Sequence, residues 1–225
     1  MAKKMTVSEA MRNRRTIRGY KPEPVAEDLL QQILETAQLS PSNCNTQPWF
    51  LTVVSGQARD QLEQALIAEL IAGKPPEPAF MSGDANLEGI YRERQYACAA
   101  DYYQTMGIER EDKTGRNQLM VKNWQFFGAP HVAFVTMPLT MGPVNAIDIG
   151  IYLQSLMLLF VEHGLASCPQ GALALYPQPI KEIAGIPEGH GILCGISFGY
   201  ADEEAKINEV KMGRADLQQS VKFVS

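Results

Sequence analysis

Several familiar signatures are missing from this chain. No GxGxxG and no Walker sequence occurs, which excludes a phosphate cradle of the dinucleotide or P-loop kind. The four cysteines, Cys44, Cys98, Cys168 and Cys194, are scattered without a CxxC or zinc spacing, so no metal site is expected and reduced, mostly buried thiols are. Only three histidines are present, His131, His163 and His190, each at an element edge and each read as structural. No catalytic residue is nominated. An excess of positive charge is also absent: the net charge of −5 offers no field for nucleic acid or anionic membrane. No Ser/Gly linker divides the 225 residues, and 45% hydrophobic content can fill one large core, so a single domain over 1–225 is expected. No apolar signal core follows Met1 to Thr6, which reads as cytoplasmic. The longest apolar stretch, Ile147 to Val161, is broken by Asp148, Gln154 and Ser155 and looks too short and too polar to cross a bilayer, so a buried central helix is expected there.

Two polar segments stand out against this background. Arg14-Arg15-Thr16-Ile17-Arg18 puts three guanidinium groups and a hydroxyl within five positions, a donor set that matches a phosphate. The same arginines also suit the C-terminal end of a short helix, and the pattern alone leaves both readings open. The second segment, Ser40-Pro41-Ser42-Asn43-Cys44-Asn45-Thr46-Gln47-Pro48-Trp49, is a polar loop rich in amides, suited to a heterocycle.

Periodicity and capping signals supply the elements between them. Thr6 and Glu9 have capping-box spacing and open a helix ending near Asn13. A second helix is expected from Val25 to about Leu39, a strand at Phe50 to Ser55, a helix from about Gln57 to Leu70, and a proline-rich loop from Gly73 to Gly83. Tyrosine-rich helical sequence from about Asn86 to Gly107 and a shorter helix at Asn117 to Trp124 form an excursion, about 73–125, that suits a cover over a pocket. A strand at His131 to Thr136, a helix at Asn145 to Gly164 and a strand at Ile192 to Phe198 complete the core. An arm of about 200–225 with a strand-like end follows. The sum is an α+β arrangement. Trp49, Trp124, Phe126 and Phe127 read as core or as site walls.

With these segments in order, the chain resembles the FMN-dependent nitroreductases. The motifs that carry the resemblance are Arg14-Arg15-Thr16-x-Arg18, Ser42-Asn43-x-Asn45-x-Gln47-Pro48-Trp49, Gly164-Leu165-x-x-x-Pro169-Gln170-Gly171 as a turn after the central helix, and Gly199-Tyr200 followed by Asn208 and Arg214. The resemblance implies an α+β homodimer, a central mixed β-sheet flanked by helices, with FMN at the subunit interface. It implies that Arg14, Arg15, Thr16 and Arg18 serve the phosphate and ribityl end. Arg214 and Lys211 would reach the phosphate from the arm. Ser42, Asn43 and Asn45 would contact FMN from the partner subunit, Gln47 would bond polar atoms of the flavin or ribityl chain, and Pro169, Gln170 and Gly171 would run along the isoalloxazine edge.

The activity implied is oxidation of NADH or NADPH and reduction of a small aromatic acceptor, a nitroaromatic or a quinone, by two-step hydride exchange. Neither a ribose-reading acid nor a 2′-phosphate arginine distinguishes the two nicotinamides. The tyrosine-rich excursion is also similar to the lid of iodotyrosine deiodinase, with Tyr102 in place, which makes reductive removal of halogen from halophenols the alternative chemistry. A flavin-binding dimer without catalysis is the alternative outside enzymes.

Overall fold

The first helix starts as its capping box dictates. In the computed structural model, which describes residues 5–81, 83, 84 and 86–225, the Thr6 hydroxyl accepts from the Glu9 amide at 3.2 Å and the Glu9 carboxylate accepts from the Thr6 amide at 2.7 Å. Helix α1 spans Val7–Asn13. Residues Met1 to Lys4, and Ser82 within the expected 73–83 loop, lie outside the described residues.

Four strands form one sheet: β1 (Phe50–Ser55), β2 (His131–Pro138), β3 (Ala166–Gln170) and β4 (His190–Gly199), in the order β1-β2-β4-β3. All three strand pairs are antiparallel. The parallel component of a mixed sheet is limited, among the described residues, to an isolated bridge between Thr16 and Ser167. Strand β3 occupies what the sequence presented as a turn. Its Ser-Cys-Pro content has little strand propensity, and pairing along β4 overrides it.

Both faces of the sheet are covered, which is why β2 reads as an unbroken apolar run. Ala133, Val135 and Met137 join Ile196 and Phe198 against α2 (Glu27–Ala37) and α6 (Pro143–Glu162). Val132 and Phe134 point the other way and meet Leu62 and Leu66 of α3 (Gly56–Ile71) and Ile180 of α7 (Pro177–Ala184). This is the two-residue alternation of a strand with a helix layer on each side. Leu173 crosses β4 at Gly195, where any Cβ would collide with its side chain.

Helix α7 was not foreseen. Its two prolines look like breakers, yet Pro177 sits in the first turn, where its missing N–H costs nothing. Helix α4 covers Gly89–Met106, while α5 begins at Lys113, four residues before the expected start, because the Asp112 carboxylate caps the Gly115 amide at 2.8 Å. Helix α6 is 20 residues long, longer than the apolar run within it, and is apolar enough to cross a membrane by length and composition. Packing assigns it instead to the core, through Ile149, Tyr152, Leu156, Met157 and Phe160. The arm ends in a short 3-10 turn at Leu217–Gln219 and an exposed irregular segment, without the expected strand.

Candidate active site

Past α1 the chain leaves the helix and runs partly buried along the end of the sheet. Ile17 and Tyr20 are buried, Thr16 bridges to Ser167 of β3, and the Ile17 amide donates to the Ser167 carbonyl at 3.1 Å. Asn208 fastens the arm to this strip. Its Oδ1 accepts from the Arg18 amide at 2.8 Å, its Nδ2 donates to the carbonyls of Gly19 (2.9 Å) and Asp202 (2.8 Å), and its carbonyl accepts from Arg15 Nη1 at 3.2 Å. Every hydrogen-bonding group of this buried side chain is used.

The three arginines do not act as one cluster. Arg14, partly buried, is held below its ordinary pKa first by burial and second by the like charge of Arg214. Neither guanidinium forms a salt bridge with a carboxylate among the described residues; Arg214 Nη1 donates only to the nearby carbonyls of Met212 and Gly213, at 3.2 and 2.8 Å. Two cations brought together without an anion make a receptor for one. Arg15 is exposed and bonded to the arm. Arg18 turns elsewhere: its guanidinium lies 4.8 Å from the Tyr102 ring and 5.7 Å from the Phe127 ring, and its charge acts on the Cys168 thiol. Lys211 is exposed, three residues before Arg214.

The amide loop is built from unusual backbone. Asn43–Asn45 form a 3-10 turn, and Cys44, Asn45 and Gln47 have φ of 51°, 55° and 46°. Left-handed conformations of residues other than glycine cost about 1 kcal/mol or more apiece and persist only where surroundings impose them. Here the Ser42 hydroxyl accepts from the Gln47 amide at 2.9 Å, the Gln47 side chain donates to the Asn45 carbonyl at 3.1 Å, and the Asn43 amide donates to Asp148 of α6 at 3.1 Å. Asn43, Cys44, Asn45 and Gln47 all face solvent.

At the end of β3 the side chain of Gln170 goes inward. Buried at 3% exposure, its carbonyl oxygen accepts from the Ser197 hydroxyl while its amide donates to the Asn123 carbonyl at 2.9 Å. Only its backbone remains for a ligand. Pro169 is half-buried, and Gly171 opens onto free space.

The other candidates divide cleanly. Burial pushes the Cys168 thiol up to about 11, against the opposing charge of Arg18, and pushes Cys194 up to about 12. Cys44 and Cys98 are exposed, contrary to the expectation of mostly buried thiols, because the polar loop and the polar α4 present them outward. Trp49 stacks on Tyr152 at 4.8 Å and donates to Gln38, so it belongs to the core. Phe126 and Phe127, also buried, have φ near 53° and are held by Arg59, which donates to the carbonyls of Gln125 and Ala129. His131 Nε2 accepts from the Val25 amide at 2.9 Å. Burial lowers its pKa, as suits a neutral structural imidazole.

Sequence reasoning passed over three residues that shape this region: Asn208 as a tie, Asp148 as a loop anchor and Arg59 as a clamp. A lone carboxylate in an apolar helix was the available signal for Asp148. For Arg59 no local signal exists, since its partners lie 66 and 70 residues away.

Comparison with known proteins agrees with this architecture. The family model described as "Nitroreductase family" matches residues 11–200. The nitroreductase NfnB of Mycolicibacterium smegmatis is 37% identical over 213 residues, covering 95% of this chain and 90% of the relative. A 4-nitrobenzoate reductase of Pseudomonas putida is 36% identical over 94% of this chain and 92% of its own length. The crystal structure of the FMN-dependent NfnB from Mycobacterium smegmatis in complex with NADPH superposes with a TM-score of 0.93 at 36% identity, over 97% of both chains. The family match over residues 11–200 and these full-length relatives show that the chain belongs to the nitroreductase family of enzymes.

Proposed function

We propose that this protein is an FMN-dependent oxidoreductase that uses NADPH or NADH to reduce nitroaromatic compounds, with quinones as further acceptors, and that it works as a soluble cytoplasmic homodimer. The observation that carries the reading is the Arg14–Arg214 pair, two cations that act on each other through their like charge and form no salt bridge to a carboxylate among the described residues. A phosphomonoester dianion relieves that repulsion and accepts hydrogen bonds from both groups. The donor set therefore fits FMN.

In this reading Arg14 and Arg214 hold the phosphate, with Arg15, Thr16 and Lys211 around it. Asn43, Asn45 and Gln47 present amides to the polar atoms of the flavin and ribityl chain, with Ser42 bracing the loop. Main-chain donors of Gly171 and its neighbours line the isoalloxazine edge beside Pro169, while the Gln170 side chain braces that edge from behind through Ser197 and Asn123. Arg18, over the rings of Tyr102 and Phe127, contributes positive charge nearby. Held by these residues, FMN would supply hydride transfer between the nicotinamide and the acceptor. Preorganised donors and cations favour the charge that builds up on reduction, so no acid or base side chain is required. Reduction of a nitro group to nitroso consumes two electrons and two protons and releases water.

The homodimer reading rests on exposed apolar groups. Val7 and Met11 of α1 and Val144, Ile147 and Ile151 of α6 are exposed, as are Val221, Phe223 and Val224 of the arm. A second copy covers such a face. We read the chain as one domain over 1–225, with the excursion at about 73–125 covering the site and the arm at about 200–225 completing it. Tyr102, which the halogen-removing alternative used as a lid residue, is turned against Arg18, and this favours the nitroaromatic reading.

Anaerobic addition of NADPH or NADH to the purified protein is the test. A yellow protein that bleaches and recovers its colour on addition of a nitroaromatic supports the reading. A protein reoxidised by halophenols and not by nitroaromatics has the other chemistry.

A further inference from the structure

A carboxylate in the middle of an apolar helix needs a reason. Asp148 lies in α6 beside Ile149 and is 6% exposed. Its Oδ1 accepts from the Asn43 amide at 3.1 Å, across 105 positions of sequence. Its Oδ2 is buried and has no hydrogen-bond partner among the described residues. A buried carboxylate is costly unless its oxygens are satisfied, and here a single contact offsets that cost.

That contact sits at the base of the strained loop. Asn43 opens the 3-10 turn, and three of the next four residues adopt left-handed backbone. Hydrogen bonds to an ionised acceptor are about twice as strong as neutral ones. An anchor of that strength is what a backbone far from its preferred conformations requires.

We propose that Asp148 is a positioning residue for the cofactor loop: its carboxylate fixes the Asn43 main chain and so holds the outward-facing amides of Asn43, Asn45 and Gln47 in their binding geometry. The carboxylate and the loop are mutually dependent, since the loop supplies the charge with its hydrogen-bond donor and the charge supplies the loop with its anchor. The part of this inference that concerns FMN rests on the functional reading above; the part that concerns the loop does not.

The two parts separate in one set of variants. Asp148→Leu removes the acceptor and the buried charge, Asp148→Asn keeps a neutral acceptor, and Asn43→Pro removes the donor without touching the core. Proline is sterically admissible at position 43 because Ser42 is already extended, with φ −145° and ψ 158°. In flavin-free protein, hydrogen exchange at residues 44–47 rises about tenfold to a hundredfold in Asp148→Leu and in Asn43→Pro, and by a small fraction of that in Asp148→Asn. FMN affinity, read by quenching of flavin fluorescence, falls in the same order. The melting temperature of flavin-free Asp148→Leu stays at or above that of the wild type, because an undersatisfied charge has left the core. A loosened loop in a protein no less stable is a signature that a merely structural residue would not give.

Unchanged exchange at 44–47 in Asp148→Leu overturns the proposal, as does an equal loss of affinity in the Asn and Leu variants. Should Asp148→Leu fail to fold, Asn43→Pro decides: exchange at wild-type level there refutes the anchor. A wild-type protein that takes up no FMN refutes the functional reading, while the exchange data still judge the loop.

Discussion

The two halves of the candidate site are held in opposite ways. The arginine strip is fixed along its length, by a bridge to β3 and by three hydrogen bonds to Asn208 alone. The amide loop stands in left-handed conformations on one long-range hydrogen bond to Asp148 and otherwise on short-range ones within the loop. The strip is therefore preorganised for an anion before any ligand arrives. The loop stores strain, and its exposed amides keep hydrogen-bonding capacity for a ligand or a second subunit.

The sharpest way to break this contrast is to remove the cations. Replacing Arg14 and Arg214 together by Met deletes two charge-assisted contacts of about 1.5–3 kcal/mol each, so FMN affinity falls by roughly two to four orders of magnitude. Flavin fluorescence titration measures it, and circular dichroism will show an intact fold, since relief of the like charge removes a source of strain.

A smaller effect tests the strip's preorganisation. Asn208→Ala leaves the Arg18 amide and the Gly19 carbonyl without their partner and costs about 2–4 kcal/mol. Denaturant unfolding gives the cost. Hydrogen exchange will show the arm loosened together with residues 15–19, while the amide loop keeps its wild-type rates.

How much of this was legible in the sequence follows from where each partner lies. The α1 capping box is local and was legible, as were the strands β1, β2 and β4, whose apolar content reflects burial on both faces. Helix α7 and strand β3 were not legible, because Pro177 reads as a breaker until its place in the first turn is known and β3 borrows its conformation from β4. At the candidate site, motif order singled out these segments, while the direction of individual side chains stayed hidden. Gln170 turns inward because Ser197 and Asn123 wait there, and Arg18 turns to Tyr102, 84 positions on; neither partner can be inferred from neighbouring sequence.

Protonation gives a weaker test, confined to the scaffold. His131 is bonded as a neutral acceptor, and burial holds its pKa below 6.5 in the fold. The unfolded chain therefore binds more protons below pH 6.5, and this residue's contribution to stability is complete above that pH and is lost as pH falls toward the folded value. Unfolding free energy will decline from pH 6.5 downward by up to about 1.4 kcal/mol per pH unit from this group, and His131→Gln will flatten that slope.

The smallest effect is chemical. Cys44 and Cys98 are exposed, whereas Cys168 and Cys194 are desolvated and held protonated. A thiol reagent at neutral pH will label the first two rapidly in flavin-free protein and the last two only on unfolding. Loading with FMN will slow Cys44 and leave Cys98 unchanged, as mass spectrometry of the labelled peptides will show.

The central claim is that an anion receptor at Arg14 and Arg214 and a strained amide loop together make a flavin site. Titration of FMN into the flavin-free protein at two salt concentrations tests it most directly. The account predicts saturable quenching at one FMN per chain, weakened by added inorganic phosphate and nearly abolished in the Arg14→Met/Arg214→Met variant. Binding of equal strength in that variant, or no binding by the wild type, would contradict it.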